Sequence, residues 1–159
     1  LHEDGLSINL KVIGDGPERK RVEQIAKSGV EKGFISFIGE CYDEVKLGNY
    51  IFKADLMIIP GSVGLSAVHS FSYGTPVGTH NESSCQMPEA GIIIPNVTGF
   101  LFQKDCLDSL IAEIRRWFSN GFDRQSVASN CRKVVDEYYN PYYQVKIIHG
   151  IIEQNKPLI

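Results

Sequence analysis

The residues with the strongest claim to chemistry lie between Pro60 and Val77. The apolar strand Leu56–Ile59 runs into a short Gly/Ser loop, and an amphipathic helix follows from Leu65 to Tyr73. A strand that stops at glycines and opens a helix presents unpaired backbone N–H groups, which suit phosphate-bearing ligands. Gly61 and Gly64 let the backbone come close to such a ligand. Gly64, Leu65 and Ser66 offer the N–H groups, and Ser62 and Ser66 add hydroxyls. A plain strand-to-helix turn is the competing reading. His69 falls at the edge of the arc expected to be buried, made of Leu65, Ala67, Val68 and Phe71. Its ring either bonds a neighbouring loop or faces the ligand.

Other polar residues cluster near strand ends. Gly39-Glu40-Cys41-Tyr42-Asp43 could hold a nucleobase by backbone contacts with Tyr42 stacking, or be an ordinary capped loop. His80 has the same ambiguity as His69. Glu82 and Glu89 are the nearby carboxylates, with Asn81 and Gln86 beside them. Gly14-Asp15-Gly16-Pro17 lacks the third glycine of a dinucleotide fingerprint and reads as turn chemistry. Trp117 and Tyr138, Tyr139, Tyr142 and Tyr143 read as packing residues rather than sugar platforms. No nucleophilic arrangement is defensible, because His69 and Ser70 are adjacent on a helix and point apart.

The elements that must position these residues alternate. Ile8–Ile13 reads as a strand, Glu18–Ser28 as a helix started near Pro17 and stopped by Gly29, and Phe34–Ile38 as a second strand. Asp43 caps a helix through Lys53, with Val45, Leu47, Ile51 and Phe52 facing inward. After the strand Leu56–Ile59 and its helix comes a short strand at Pro76–Thr79. Gly91–Ile94 and Phe100–Phe102 are short apolar pieces near a sheet edge. Asp105–Asn120, Phe122–Tyr139 and Tyr142–Asn155 read as helices. Repeated βαβ units predict an α/β fold, a Rossmann-like parallel sheet with helices on both faces. Ligands then sit beyond the carboxyl ends of the strands, on a rim shared by these loops.

The length of 159 residues fits one domain. A net charge of −3 gives no basic footprint for nucleic acid. Arg19, Lys20 and Arg21 are offset by Glu18 and Glu23 and read as a solvated helix face. Cys41, Cys85, Cys106 and Cys131 contain no C-x-x-C pair, which argues against a zinc site and for reduced cysteines in a cytoplasmic protein. No apolar run approaches the roughly 18 residues of a membrane span. The abrupt start at Leu1 reads as a piece cut from something longer.

The chain resembles the C-terminal half of GT-B glycosyltransferases, in the retaining group called glycosyl transferases group 1, or family 4. The resemblance rests on an ordered set over about residues 8–118, ahead of C-terminal helices at about 122–155. It comprises Val12-Ile13-Gly14-Asp15-Gly16-Pro17, Ile35-Ser36-Phe37-Ile38-Gly39, and Tyr50-Ile51-Phe52-Lys53-Ala54-Asp55 before Ile58-Ile59-Pro60. Ser72-Tyr73-Gly74-Thr75-Pro76-Val77 and Asn96-Val97-Thr98-Gly99-Phe100-Leu101-Phe102 complete it.

The resemblance implies a single domain fragment that binds a nucleoside-diphosphate sugar, while a separate N-terminal domain of the same protein takes the acceptor. It implies neither cofactor nor metal. Gly64, Leu65 and Ser66 become donor diphosphate contacts, and Gly39, Glu40, Cys41 and Tyr42 the base pocket. The implied enzyme transfers a hexose to a glycan or lipid-linked acceptor in polysaccharide biosynthesis, in the cytoplasm or at the cytosolic membrane face. The fragment alone should be inactive. Two departures stand out. The family carries two glutamates, on the donor sugar and the ribose, at the positions of Gly61 and His69, so the catalytic residues are unassigned. The family's first strand and helix, with an Arg and a Lys on the diphosphate, are missing, so Ile8–Ile13 should pair directly with Leu56–Ile59 or leave a gap filled by another chain. Alternatives are a catalytically degenerate nucleotide-binding regulatory module and a sugar-nucleotide epimerase of the same architecture.

Overall fold

The structure is a computed structural model that describes residues 1, 5–119, 121 and 123–154. It divides into two compact units, Leu1–Tyr50 and Ile51–Ile159.

In the first unit, β1 (Leu10–Ile13) and β2 (Ile35–Gly39) pair in parallel, Leu10 opposite Ile35, with a register shift between Val12 and Ile13. The crossover is two helices, α1 (Arg19–Ile25) and α2 (Lys27–Glu31), where one helix stopped by Gly29 is expected from the sequence. The break comes earlier, at Ala26. Gly29 sits buried inside α2, because a Cβ there would run into the side chains of Ile35 and Phe34. The chain instead leaves the helix at Gly33, whose φ of 80° favours glycine. Pro17 lies in the turn ahead of α1 rather than at its first position. Arg19 pairs with Glu23 at 2.7 Å and Asp15 at 3.3 Å, and Arg21 with Glu18 at 2.8 Å, as a solvated charged face should.

Asp43 Oδ1 accepts from the Lys46 N–H at 3.0 Å and caps α3 (Glu44–Lys53), within which the unit boundary falls. Its inward arc is Leu47, Gly48 and Ile51. Val45 and Phe52, expected inside, are exposed.

The second unit holds a three-stranded parallel sheet in the order β3 (Met57–Ile59), β4 (Val77–His80), β5 (Gly99–Phe102). All four residues of the central strand β4 are buried, as a parallel strand covered on both faces should be. Alternation along β3 sends side chains to opposite faces. Met57 and Ile59 join a cluster of Val63, Ala67, Phe71, Val77, Ile93 and Cys131 with α4 (Leu65–Ser72) and α6 (Arg124–Tyr138). Leu56 and Ile58 join Phe100, Phe102 and Trp117 with α5 (Leu107–Ser119). Gly99 is required by packing, since a Cβ there would fall on the Val77 backbone. The chain closes with α7 (Pro141–Gln154). The expected helix ends at Asn120, Phe122 and Asn155 lie outside the described residues.

The guanidinium of Arg124 donates to the carbonyls of Gly74 at 2.5 Å, Phe52 at 3.0 Å and Ala54 at 3.2 Å. It ties the head of α6 to the segments on either side of β3. Of the two arrangements expected for Ile8–Ile13 and Leu56–Ile59, direct pairing is absent among the described residues, where β1 and β3 belong to separate hydrogen-bonded sheets. The strand that the resemblance places between them has no counterpart among the described residues, and in the apolar piece Gly91–Ile94 the first two residues end a 3-10 turn.

Candidate functional site

In the second unit, β3 ends at Ile59 and the chain turns through Pro60–Gly64 into α4. Val63 plugs the core with no exposed surface, and this anchors the middle of the loop. Gly61 and Ser62 stay exposed on the outer side. Neither Gly61 nor Gly64 has a positive φ. A Cβ at Gly61 would meet nothing within 4 Å, and one at Gly64 only Met87 Cγ at 3.8 Å. These glycines therefore provide open space above the loop rather than an unusual backbone conformation.

Gly64 is the N-cap of α4 and no side chain caps that helix. The Ala67 N–H turns back to Gly64 O at 2.9 Å. The amides of Leu65 and Ser66 meet no acceptor among the described residues, and both residues are exposed. Leu65, expected in the buried arc, is 71% exposed, and Ser70 takes its place inside. His69 is half-buried on α4, with its ring 5.4 Å from that of Tyr73 at a tilt of 57°.

The loop is held from behind by a residue the sequence places only beside the carboxylates. Gln86 Oε1 accepts from the Val63 N–H at 2.7 Å. Its Nε2 donates to Thr79 Oγ1 at 2.9 Å and His80 O at 3.0 Å. Thr79, near the end of β4, donates its own hydroxyl to Ile59 O at 2.9 Å. No local signal announces this bridge, since Gln86 and Val63 are 23 positions apart. His80 is 2% exposed, and its Nδ1 accepts from the Glu82 N–H at 3.2 Å, which places the imidazole proton on Nε2.

The two rim carboxylates differ. Glu82 is exposed, and the Ser84 hydroxyl, donating at 2.7 Å, holds its carboxyl below the usual range. Glu89 is half-buried, and its Oε2 meets no hydrogen-bond partner among the described residues. Tyr139 has its phenol raised by burial and then by the Glu89 charge. Lys104 donates to Cys85 Sγ at 3.4 Å, which raises the ammonium pKa. A cleft of about 310 Å³ lined by Asn96, Trp117, Asp123 and Ser126 lies by the start of β5, the opposite end of the strand from this rim.

In the first unit, the Gly39–Tyr42 loop follows the carboxyl end of β2. Gly39 takes a φ of 79° and accepts the Gly14 N–H at 2.8 Å. Glu40 is exposed, Cys41 half-buried, and the Tyr42 ring 84% exposed, open to stacking. Among the described residues no cluster of His, Cys, Asp and Glu could hold a metal, and no helix is long and apolar enough to cross a membrane.

A family model described as glycosyl transferases group 1 matches residues 1–134. Protein CapJ of Staphylococcus aureus is 40% identical over 60 residues, covering 38% of this chain and 15% of CapJ. The fold matches a crystal structure of Anabaena HepE in complex with UDP, with a TM-score of 0.70, 17% identity, and coverage of 91% of this chain and 41% of that one. It also matches the C-terminal domain of a glycosyl transferase group 1 family protein, LpcC, from Francisella tularensis. There the TM-score is 0.67, identity 21%, and coverage 84% and 70%. The chain thus spans less than half the length of CapJ and of HepE.

Proposed function

The chain belongs to the glycosyl transferases group 1 family, and from that premise we propose that it is the donor-binding part of a retaining glycosyltransferase. The whole enzyme moves a hexose from a nucleoside-diphosphate sugar to a glycan or lipid-linked acceptor. The observation that carries this reading is the head of α4, where the Leu65 and Ser66 amides are unfilled and open to solvent. Two N–H donors fixed by a helix stabilise the charge that develops on a departing diphosphate without reorganising. Gly64 completes the set. Supporting evidence from a structural relative is that HepE was solved with UDP.

In this reading Gly61 leaves room for the donor sugar, and the His69 imidazole exchanges one hydrogen bond with a ribose hydroxyl. Gly39, Glu40, Cys41 and the exposed Tyr42 are assigned to the nucleobase on the resemblance. No metal or cofactor takes part, and the acceptor is bound by an N-terminal domain of the same protein, at the cytosolic membrane face. A second reading, a nucleotide-binding module that no longer transfers sugar, is favoured by one observation: neither Gly61 nor His69 is acidic.

The test is thermal melting of the full-length protein against a panel of UDP-, GDP- and ADP-sugars. A donor at a hundred times its Kd should stabilise by about 2.7 kcal/mol. A panel in which no member shifts the melt removes the donor reading. Binding of a nucleoside diphosphate without any sugar transfer selects the second reading. His69→Ala should weaken nucleotide binding if the imidazole holds the ribose, and leave it unchanged if the ring only packs on Tyr73.

A further inference from the structure

We infer that Gln86 is a positioning residue for ligand binding at the head of α4, an inference that rests on the donor reading above. Its side-chain amide uses both N–H donors and one acceptor lone pair on three backbone or hydroxyl groups of two neighbouring segments. One is the Val63 N–H, the amide immediately before the N-cap Gly64. The others, Thr79 Oγ1 and His80 O, belong to the end of β4, whose Thr79 also bonds Ile59 O at the end of β3. Gln86 thereby clamps the loop to β4 directly and to β3 through Thr79.

The clamp has a directional consequence. Val63 is the buried plug of the loop, so its N–H lies away from water and needs an acceptor. With the Gln86 carbonyl in that place, the Val63 amide is withdrawn from ligand binding. The donors left are those of Gly64, Leu65 and Ser66, on the open side. The helix has no side-chain cap to hold its first turn. Gln86 thus fixes from outside what a capping Ser or Asp would ordinarily fix from within. The donors are held in place before an anion arrives, which lowers the ordering cost of binding. Gln86 does not touch the proposed ligand and acts through Val63.

The experiment compares full-length wild type with Gln86→Ala and Gln86→Glu by calorimetric titration of UDP, GDP and ADP, and by hydrogen exchange of the Val63 amide. The alanine variant should bind the nucleotide about tenfold more weakly, the scale of one lost buried hydrogen bond, and exchange the Val63 proton faster. In turnover, donor KM should rise while kcat holds. Gln86→Glu keeps the acceptor for Val63 and should recover part of the affinity, and it carries the measurement if the alanine variant does not fold. Wild-type nucleotide affinity in both variants overturns the inference. Wild-type protein that binds none of the three nucleotides overturns the donor reading itself, which the Val63 exchange rate does not touch.

Discussion

The two units have similar local sequence patterns and very different interiors. In the second unit β4 is buried along its whole length, and Phe71, Phe100, Val63 and Val77 have no exposed surface. In the first unit Leu10, Val22, Val30 and Val45 are exposed, and among its described residues only Gly29 and Gly48 are buried. An apolar pattern says which face of an element seeks cover, but burial needs neighbours on both sides. A three-stranded sheet with helices on both faces supplies them to its central strand. A two-stranded parallel pair has no central strand, and such pairs are marginal by themselves.

Truncation tests this contrast with the largest effect. Phe100→Ala should cost about 3–5 kcal/mol, the range for emptying a packed aromatic site. Ile25→Ala, at a position 75% exposed in α1, should stay within about 0.5 kcal/mol. Urea unfolding of each variant measures both, and equal losses would break the contrast. Added bulk should separate the units next. Gly99→Ala sets a Cβ against the Val77 backbone, which cannot move without parting β4 from β5, and should cost about 3 kcal/mol. Gly29→Ala meets the movable tip of Ile35 and should cost about 1 kcal/mol.

A further test of the second unit's interior is a pH dependence. Burial pushes the Cys131 thiol from 9.0 up to about 12. In the unfolded chain the thiol loses its proton above its ordinary value, while the folded one holds it. This contribution to stability is therefore whole below pH 9 and drains away between there and about 12. Melting curves of wild type and Cys131→Ala should converge across that window. If their difference is flat, the second unit is wetter around α6 than its packing implies.

Much of this was legible in the sequence, because it depends on local chemistry. The strand, loop and helix from Leu56 to Ser72 follow from apolar runs broken by glycine, and the cap on α3 follows from Asp43. Parallel pairing followed from the alternation of strands and helices. The misses share one cause. Gly29 looked like a stop signal and is a contact with Ile35. Val45, Phe52 and Leu65 have the right spacing for burial but are exposed. Gln86 and Arg124 look like surface polar residues, and only the tertiary structure shows the carbonyls and amides they reach across tens of positions. Gly61 and His69 enter the donor-site reading only through the resemblance, and nothing in their local spacing carries it.

Arg124 has a consequence beyond fastening segments together. The carbonyls it gathers lie in the last turn of α3 and just past the ends of α3 and α4, so one cation faces the negative poles of two helix dipoles. Helix α4 is eight residues, about 12 Å long. Its far pole is the group of amides at Leu65 and Ser66. An anion seated there would complete a line of charges, cation at one end and anion at the other, with the helix dipole aligned favourably to both. Arg124 thereby holds the C-terminal pole of α4, at the end opposite those amides.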